Sequence, residues 1–208
     1  MMARLLAVSR HRMATDGEGV TTLVAFHGCP LDCKYCLNPD CKHGAERFRD
    51  VTPEALLNEV MIDNIYFLAT GGGVTFGGGE PLIFAHFIEE FCLICDPQWN
   101  INIETSLNVP TAQLQLVADH TDSLIIDIKD VNPRIYKQYT GRGNELVLAN
   151  LRWLYERGMQ SKCRIRLPLI PGFNTPEDVR QSRMQLEAMG FADFNEFTYI
   201  TDRKKLKL

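Results

Sequence analysis

The feature that most limits how this chain can fold is the alternation of short β-type apolar runs with longer stretches of helical period. Thr22–Phe26, Val74–Phe76, Ile101–Glu104, Leu124–Ile128, Arg164–Leu167 and Phe194–Ile200 read as strands. Leu124–Ile128 is β-branched and apolar on both faces, as a buried parallel strand must be. Helices fall between the strands. Thr52-Pro53 supplies an N-cap and a first helical residue, and Leu56, Leu57, Val60 and Met61 give that helix one apolar face. Phe87, Ile88, Phe91 and Cys92 mark a second helix, and Thr111 to about Asp119 a third. Val147–Arg157 makes a fourth that ends at Gly158, and Thr175-Pro176-Glu177 opens a fifth that closes near Gly190. Repeated β-α units of this size predict a parallel sheet with right-handed crossovers. About six strands are too few for a closed eight-stranded barrel. The expectation is an α/β fold, a partial (β/α)6 TIM-like barrel in a single domain over 1–208. Functional residues then belong at the C-terminal ends of the strands, where the βα loops gather.

Composition adds a few exclusions. Hydrophobic residues make up 45% and charged residues 23% of the 208 positions, the balance of a globular protein. No apolar run approaches the roughly 20 residues of a membrane helix. Met1–Met13 lacks the apolar core and cleavage site of a signal peptide, so a cytoplasmic protein without a membrane partner is expected. A net charge of −4 gives no general pull towards nucleic acid. Arg203-Lys204-Lys205 with Lys207 reads as a solvated basic stretch in a short tail, 201–208. Seven cysteines, an odd number without a secretory signal, point to metal or redox chemistry rather than disulfides.

Two motifs carry the chemistry. Cys29-Pro-Leu-Asp-Cys33-Lys-Tyr-Cys36 lies in a loop, 27–41, after the first strand. Three thiolates so close can hold three irons of a cubane cluster and leave the fourth open to a small molecule. The alternative is a zinc site completed by Cys41 or His43, although only Cys33 and Cys36 have the CxxC spacing. Cys92 and Cys95, on an apolar helix face, and Cys163, at the start of a strand, read as core residues. The second motif, 71–81, holds six glycines within nine residues and ends Gly78-Gly79-Glu80-Pro81. Such a stretch lets backbone approach a ligand closely, and Glu80 offers a carboxylate to an ammonium group. It lacks the features of a phosphate-binding loop, and a plain turn is the simpler alternative.

Cys29-x3-Cys33-x2-Cys36 with Tyr35, followed by Gly78-Gly79-Glu80, resembles the radical S-adenosylmethionine (SAM) superfamily. Within it, 71–81 resembles the glycyl radical enzyme activating enzymes. Asp16-Gly17-x-Gly19, Asn38-Pro39, Asp127-Ile128-Lys129, Arg166 and Pro171-Gly172 continue that resemblance across roughly 14–172. The resemblance implies a [4Fe–4S] cluster on Cys29, Cys33 and Cys36, with SAM on the open iron. Gly78, Gly79 and Glu80 would hold the SAM amino group, and Tyr35 would lie near the adenine. Cys36 and Leu37 would line the same pocket. Asp127, Ile128 and Lys129 would meet the ribose and carboxylate, and Arg166 would offer a charged donor. Asp127 paired with Lys129 or Arg166 for structure alone is the plainer reading of that segment. Glu104-Thr105 stands where related enzymes carry Asp-Thr near a monovalent cation. The resemblance further implies abstraction of an α-hydrogen from a glycine of a partner glycyl radical enzyme. With no ferredoxin-like insert in the chain, flavodoxin or ferredoxin would be the external electron donor. The rivals are an activase of anaerobic ribonucleotide reductase, a radical SAM enzyme acting on a small molecule, and a non-catalytic zinc module.

Overall fold

A computed structural model describes residues 1–13, 15–42, 48–199 and 201; His43 and the basic run at 203–207 lie outside them. The chain gathers into two compact units. The first comprises Met1–Pro30, Asn38–Thr105 and Val109–Ile125, and the second Leu31–Leu37, Ser106–Asn108 and Ile126–Leu208.

In the first unit, β1 (Ala3–Met13), β2 (Val20–Phe26), β3 (Arg49–Val51), β4 (Gly73–Gly78) and β5 (Asn100–Thr105) follow the order β3-β1-β2-β4-β5. The first residues of β6 (Ser123–Asp127) come next. Strands β2, β4 and β5 are parallel, whereas β1 runs antiparallel to both β2 and β3. In the second unit, the end of β6 is followed in the sheet by β7 (Cys163–Leu169) and β8 (Asp193–Thr198), and these last two are parallel. The fold class is α/β with a parallel sheet, as an incomplete TIM-like barrel requires. The six expected strands are β2 and β4–β8. Strands β1 and β3 are additions that the sequence pattern does not announce.

The helices follow their capping residues. α1 (Pro53–Val60) starts at Thr52, whose hydroxyl accepts from Ala55 N at 3.2 Å. α2 (Asn64–Thr70) ends at Gly71, which takes the left-handed conformation of a C-terminal cap. α3 (Ala85–Ile94) and α4 (Thr111–Ala118) complete the first unit. Its core includes a ring stack of Phe26 on Phe76 at 5.7 Å, with Phe91 edge-on to Phe76 at 5.3 Å. In the second unit, α5 (Pro133–Thr140) runs from Asn132 as N-cap to Gly141. α6 (Glu145–Glu156) precedes Gly158, which has positive φ, and α7 (Pro176–Glu187) opens with a reciprocal Thr175–Asp178 capping box. α2 and α5 are helices that the sequence pattern does not announce.

A part-buried ion pair to a buried acid anchors β1. Asp63 is fully buried and accepts from Arg10 Nε at 2.9 Å, from Arg10 Nη2, and from Thr22 Oγ1 at 2.7 Å. Burial alone would raise the pKa of this carboxyl; the bonds from Arg10 and Thr22 outweigh it and hold the value below the usual range. A lowered folded pKa contributes stability that is present above the unfolded value, near about 4, and is lost as pH falls through the folded one. Asp63→Asn is therefore expected to lower the melting temperature at pH 7 by roughly 5–10 °C. The gap to wild type should narrow in acid, and a gap of equal size at pH 7 and at about pH 3 would show that charge contributes nothing.

Candidate functional site

In the first unit, the glycine run supplies close approach of backbone to backbone. A Cβ on Gly72 would lie 1.9 Å from Val20 O, and one on Gly73 would lie 2.1 Å from Asn100 O. Gly78 takes φ +90, and a Cβ there would meet Ala25 Cα at 2.8 Å. At Gly79 the obstacle is Gly28 O at 2.0 Å. Two hydrogen bonds tie this end of β4 to the chain leading into Cys29: Gly79 N donates to Phe26 O at 3.0 Å and Glu80 N to Gly28 O at 2.8 Å. The glycines thus let 78–80 lie along 26–28, a use distinct from both ligand approach and a plain turn.

Glu80 is buried, and its Oε1 accepts from Thr105 Oγ1 at 2.7 Å and from Leu82 N at 3.2 Å. The second bond caps the 3-10 turn Pro81–Phe84. Asn38 Nδ2 donates to Gly78 O at 3.1 Å, so the residue two places after Cys36 is bound to the Gly-Gly-Glu turn. Thr105, at the end of β5, is the orienting partner of Glu80, a role that residue type and spacing do not reveal.

In the second unit, the loop carrying Cys33 and Cys36 is held by the end of α5. The last carbonyls of a helix have no partner within it. Here Thr140 O accepts from Asp32 N at 2.8 Å and Tyr139 O from Lys34 N at 3.2 Å. Tyr35 OH donates to Pro171 O at 3.3 Å, and its ring meets Phe173 edge-on at 5.7 Å and Tyr139 at 6.1 Å. Cys33, Tyr35 and Phe173 pack against a core of Tyr139, Ile170 and Tyr199.

Asp127 ends β6, and its Oδ2 accepts from Lys129 Nζ at 2.5 Å. Lys129 is buried and also faces the Tyr199 ring at 5.4 Å. Burial would lower the pKa of this amine, but Asp127, Tyr199 and Cys33 around it raise the value, so Lys129 keeps its charge. Asp127 Oδ1 is shielded from water and has no hydrogen-bond donor among the described residues. Ile128 is buried, with its N–H donating to Arg166 O at 3.0 Å, which places Arg166 mid-strand in β7 beside that segment. Leu37 is exposed.

None of the seven cysteines is in a disulfide. Cys92 and Cys163 are raised by burial to about 12, which keeps them as unreactive thiols. Cys95 lies just beyond α3 in extended backbone rather than on the helix face. Cys41 is buried, and its carbonyl accepts from Gly28 N at 2.9 Å. Among the described residues, no three His, Cys, Asp or Glu side chains converge as ligands of a single metal ion. The first unit thus brings together Cys29, Gly78, Gly79 and Glu80. The second contains Cys33, Tyr35, Cys36, Leu37, Asp127, Ile128, Lys129 and Arg166, of which Cys33, Asp127 and Lys129 are close enough to interact electrostatically. By residue type, the chain carries donors that suit the two groups the resemblance implies. The donor set is three thiols of one loop, and Asp127 Oδ1 is a buried acceptor without a donor, as a hydroxyl-bearing ligand requires.

Compared with known proteins, residues 23–183 match the model of the Radical SAM superfamily. The chain is 33% identical to pyruvate formate-lyase 2-activating enzyme of Escherichia coli (strain K12), across 89% of this chain and 73% of that protein. It is 32% identical to pyruvate formate-lyase-activating enzyme of Staphylococcus aureus (strain USA300), across 78% of this chain and 67% of that one. In fold it is similar to Streptococcus suis SuiB bound to S-adenosylmethionine, with a TM-score of 0.66 at 14% identity. That match covers 86% of this chain and 42% of SuiB, so the chain spans less than half of SuiB's length.

Proposed function

The chain belongs to the radical SAM superfamily, and from that premise we propose that it is an activase installing a glycyl radical on a partner enzyme. When bound, a [4Fe–4S] cluster and SAM supply reductive cleavage of the sulfonium S–C5′ bond and a 5′-deoxyadenosyl radical. The observation that carries the reading is Glu80, a buried acid whose backbone N–H donates to Gly28 O, the residue before Cys29.

The residues divide the work. Cys29, Cys33 and Cys36 hold three irons of the cluster. Glu80, fixed by Thr105, accepts from the SAM ammonium. Asp127 Oδ1 accepts from a ribose hydroxyl, and Lys129, kept charged by Asp127, donates to the SAM carboxylate. Tyr35 covers the adenine, its ring set by Phe173 and Pro171. Leu37 and Ile128 line the pocket, and Arg166 adds a charged donor. The partner is a glycyl radical enzyme, the electron donor a flavodoxin or ferredoxin, and the compartment the cytoplasm. Among the described residues, no helix is long and apolar enough to cross a membrane.

Reconstituted, dithionite-reduced protein is expected to convert SAM to methionine and 5′-deoxyadenosine even without its partner. No 5′-deoxyadenosine from such a sample would reject the catalytic reading. Glu80→Gln keeps the oxygen that accepts from Thr105 and Leu82 but removes the charge. It should weaken SAM binding about ten- to a hundredfold while leaving the melting temperature unchanged. Unchanged affinity would mean that Glu80 serves only the fold.

A further inference from the structure

Asp130 follows Lys129 directly, is 3% exposed, and is held from three sides. Asn132 N at 2.9 Å and Ser182 Oγ at 3.3 Å donate to Oδ1, and Asn174 Nδ2 donates to Oδ2 at 3.2 Å. Asn174 is itself buried and fully engaged. Its Nδ2 also reaches Pro168 O at 3.1 Å, and its Oδ1 accepts from Ile170 N at 2.6 Å. The loop it closes carries Pro171, whose carbonyl takes the Tyr35 hydroxyl, and Phe173, whose ring meets Tyr35 and Tyr139. One amide side chain thus bridges the segment after β6, which bears Lys129, and the loop after β7, which holds Tyr35.

We propose that Asn174 is a positioning residue: by locking the loop after β7 onto Asp130, it sets Lys129 and Tyr35 in place for SAM. This rests on the function proposed above. Asp130 is a buried carboxyl whose pKa is raised by burial, against the bonds from Asn132, Asn174 and Ser182. Without the Asn174 amide, its Oδ2 loses its donor in a poorly solvated place, which is costly. The nearest relief is a shift of 129–132 towards water, and Lys129 moves with it. The loop that Asn174 closes loses its bonds to Pro168 and Ile170 as well, and Phe173, carried by that loop, no longer fixes Tyr35. Cluster ligation by the three thiols involves neither movement.

The test compares wild-type protein with Asn174→Ala and Ser182→Ala, each reconstituted with its cluster. SAM affinity, iron content and the rate of 5′-deoxyadenosine formation at saturating SAM are measured. Asn174→Ala should weaken SAM binding about tenfold, with iron content and saturated rate within about twofold of wild type. Ser182→Ala removes the 3.3 Å bond to the same carboxylate, and with it the acceptor of Val131 N in the same segment, and should show the same pattern at about two- to threefold. It decides the matter if Asn174→Ala does not fold. Affinity unchanged in the variants, or lost only in step with iron content, overturns the proposal while leaving the function standing. Wild-type protein that neither binds nor cleaves SAM overturns both.

Discussion

Alanine in place of Cys33 is expected to abolish both the cluster absorption of anaerobically prepared protein and all SAM cleavage. In the proposed site each thiolate would hold one iron, and the two that remain would be too few to retain a cluster whose fourth corner already has no protein ligand. The loop around Cys33 is well anchored without it, through Asp32 N and Lys34 N on the end of α5. Folding should therefore survive, so the loss will read as loss of a ligand. Cys92→Ala is the matched control: burial raises that thiol to about 12, and the variant should retain iron and activity. Cys41 decides between two kinds of centre. Its substitution should leave iron content intact; a Cys41 variant as empty as the Cys33 variant would replace the three-thiolate site with a four-ligand one.

Gly79→Ala should be as damaging by a different route. The added methyl would sit 2.0 Å from Gly28 O and 3.0 Å from Phe26 O, backbone atoms that cannot turn aside. Relief requires parting 78–80 from 26–28, which breaks the bonds from Gly79 N and Glu80 N and displaces Cys29. A destabilisation of about 3 kcal/mol is expected, with cluster retention lost in parallel. Gly71→Ala is the contrasting case. Nothing lies within 4 Å of its Cβ, and only the left-handed φ of +66 opposes the change, so about 1 kcal/mol and a normal cluster are expected. Equal behaviour of the two variants would show that the glycine run matters only for backbone conformation.

The parts legible in the sequence are those where one residue type does one job. Cysteine spacing, strand runs such as Leu124–Ile128, and caps such as Thr52-Pro53 and Thr175-Pro176 each rest on local chemistry. β1 was not legible because Arg4, Arg10 and Arg12 interrupt it; Arg10 is accommodated by a buried Asp63 far along the chain. α5 carries its signal in the caps Asn132-Pro133 and Gly141 and in the i, i+1, i+4, i+5 spacing of Ile135, Tyr136, Tyr139 and Thr140, where two tyrosines and a threonine stand in place of an aliphatic stripe. Missing it hid the carbonyls of Tyr139 and Thr140 that hold the cysteine loop. The glycine run was legible as backbone approaching something. That its neighbours are Val20, Asn100, Ala25 and Gly28 depends on strand order, which no local pattern states. Thr105 and Asn174 act through partners 25 and 44 residues distant and were invisible for the same reason.

In the proposed reaction, hydrogen is taken from a backbone glycine of another protein. Glycine suits this role because no side chain hinders approach to its Cα. The deciding measurement combines reduced enzyme, SAM and the partner protein carrying deuterium at the α-position of its radical glycine. The expected result is the doublet electron paramagnetic resonance signal of a glycyl radical, and deuterium in the 5′-deoxyadenosine formed. Deuterium arriving instead from a labelled small metabolite, with no partner protein present, would contradict it.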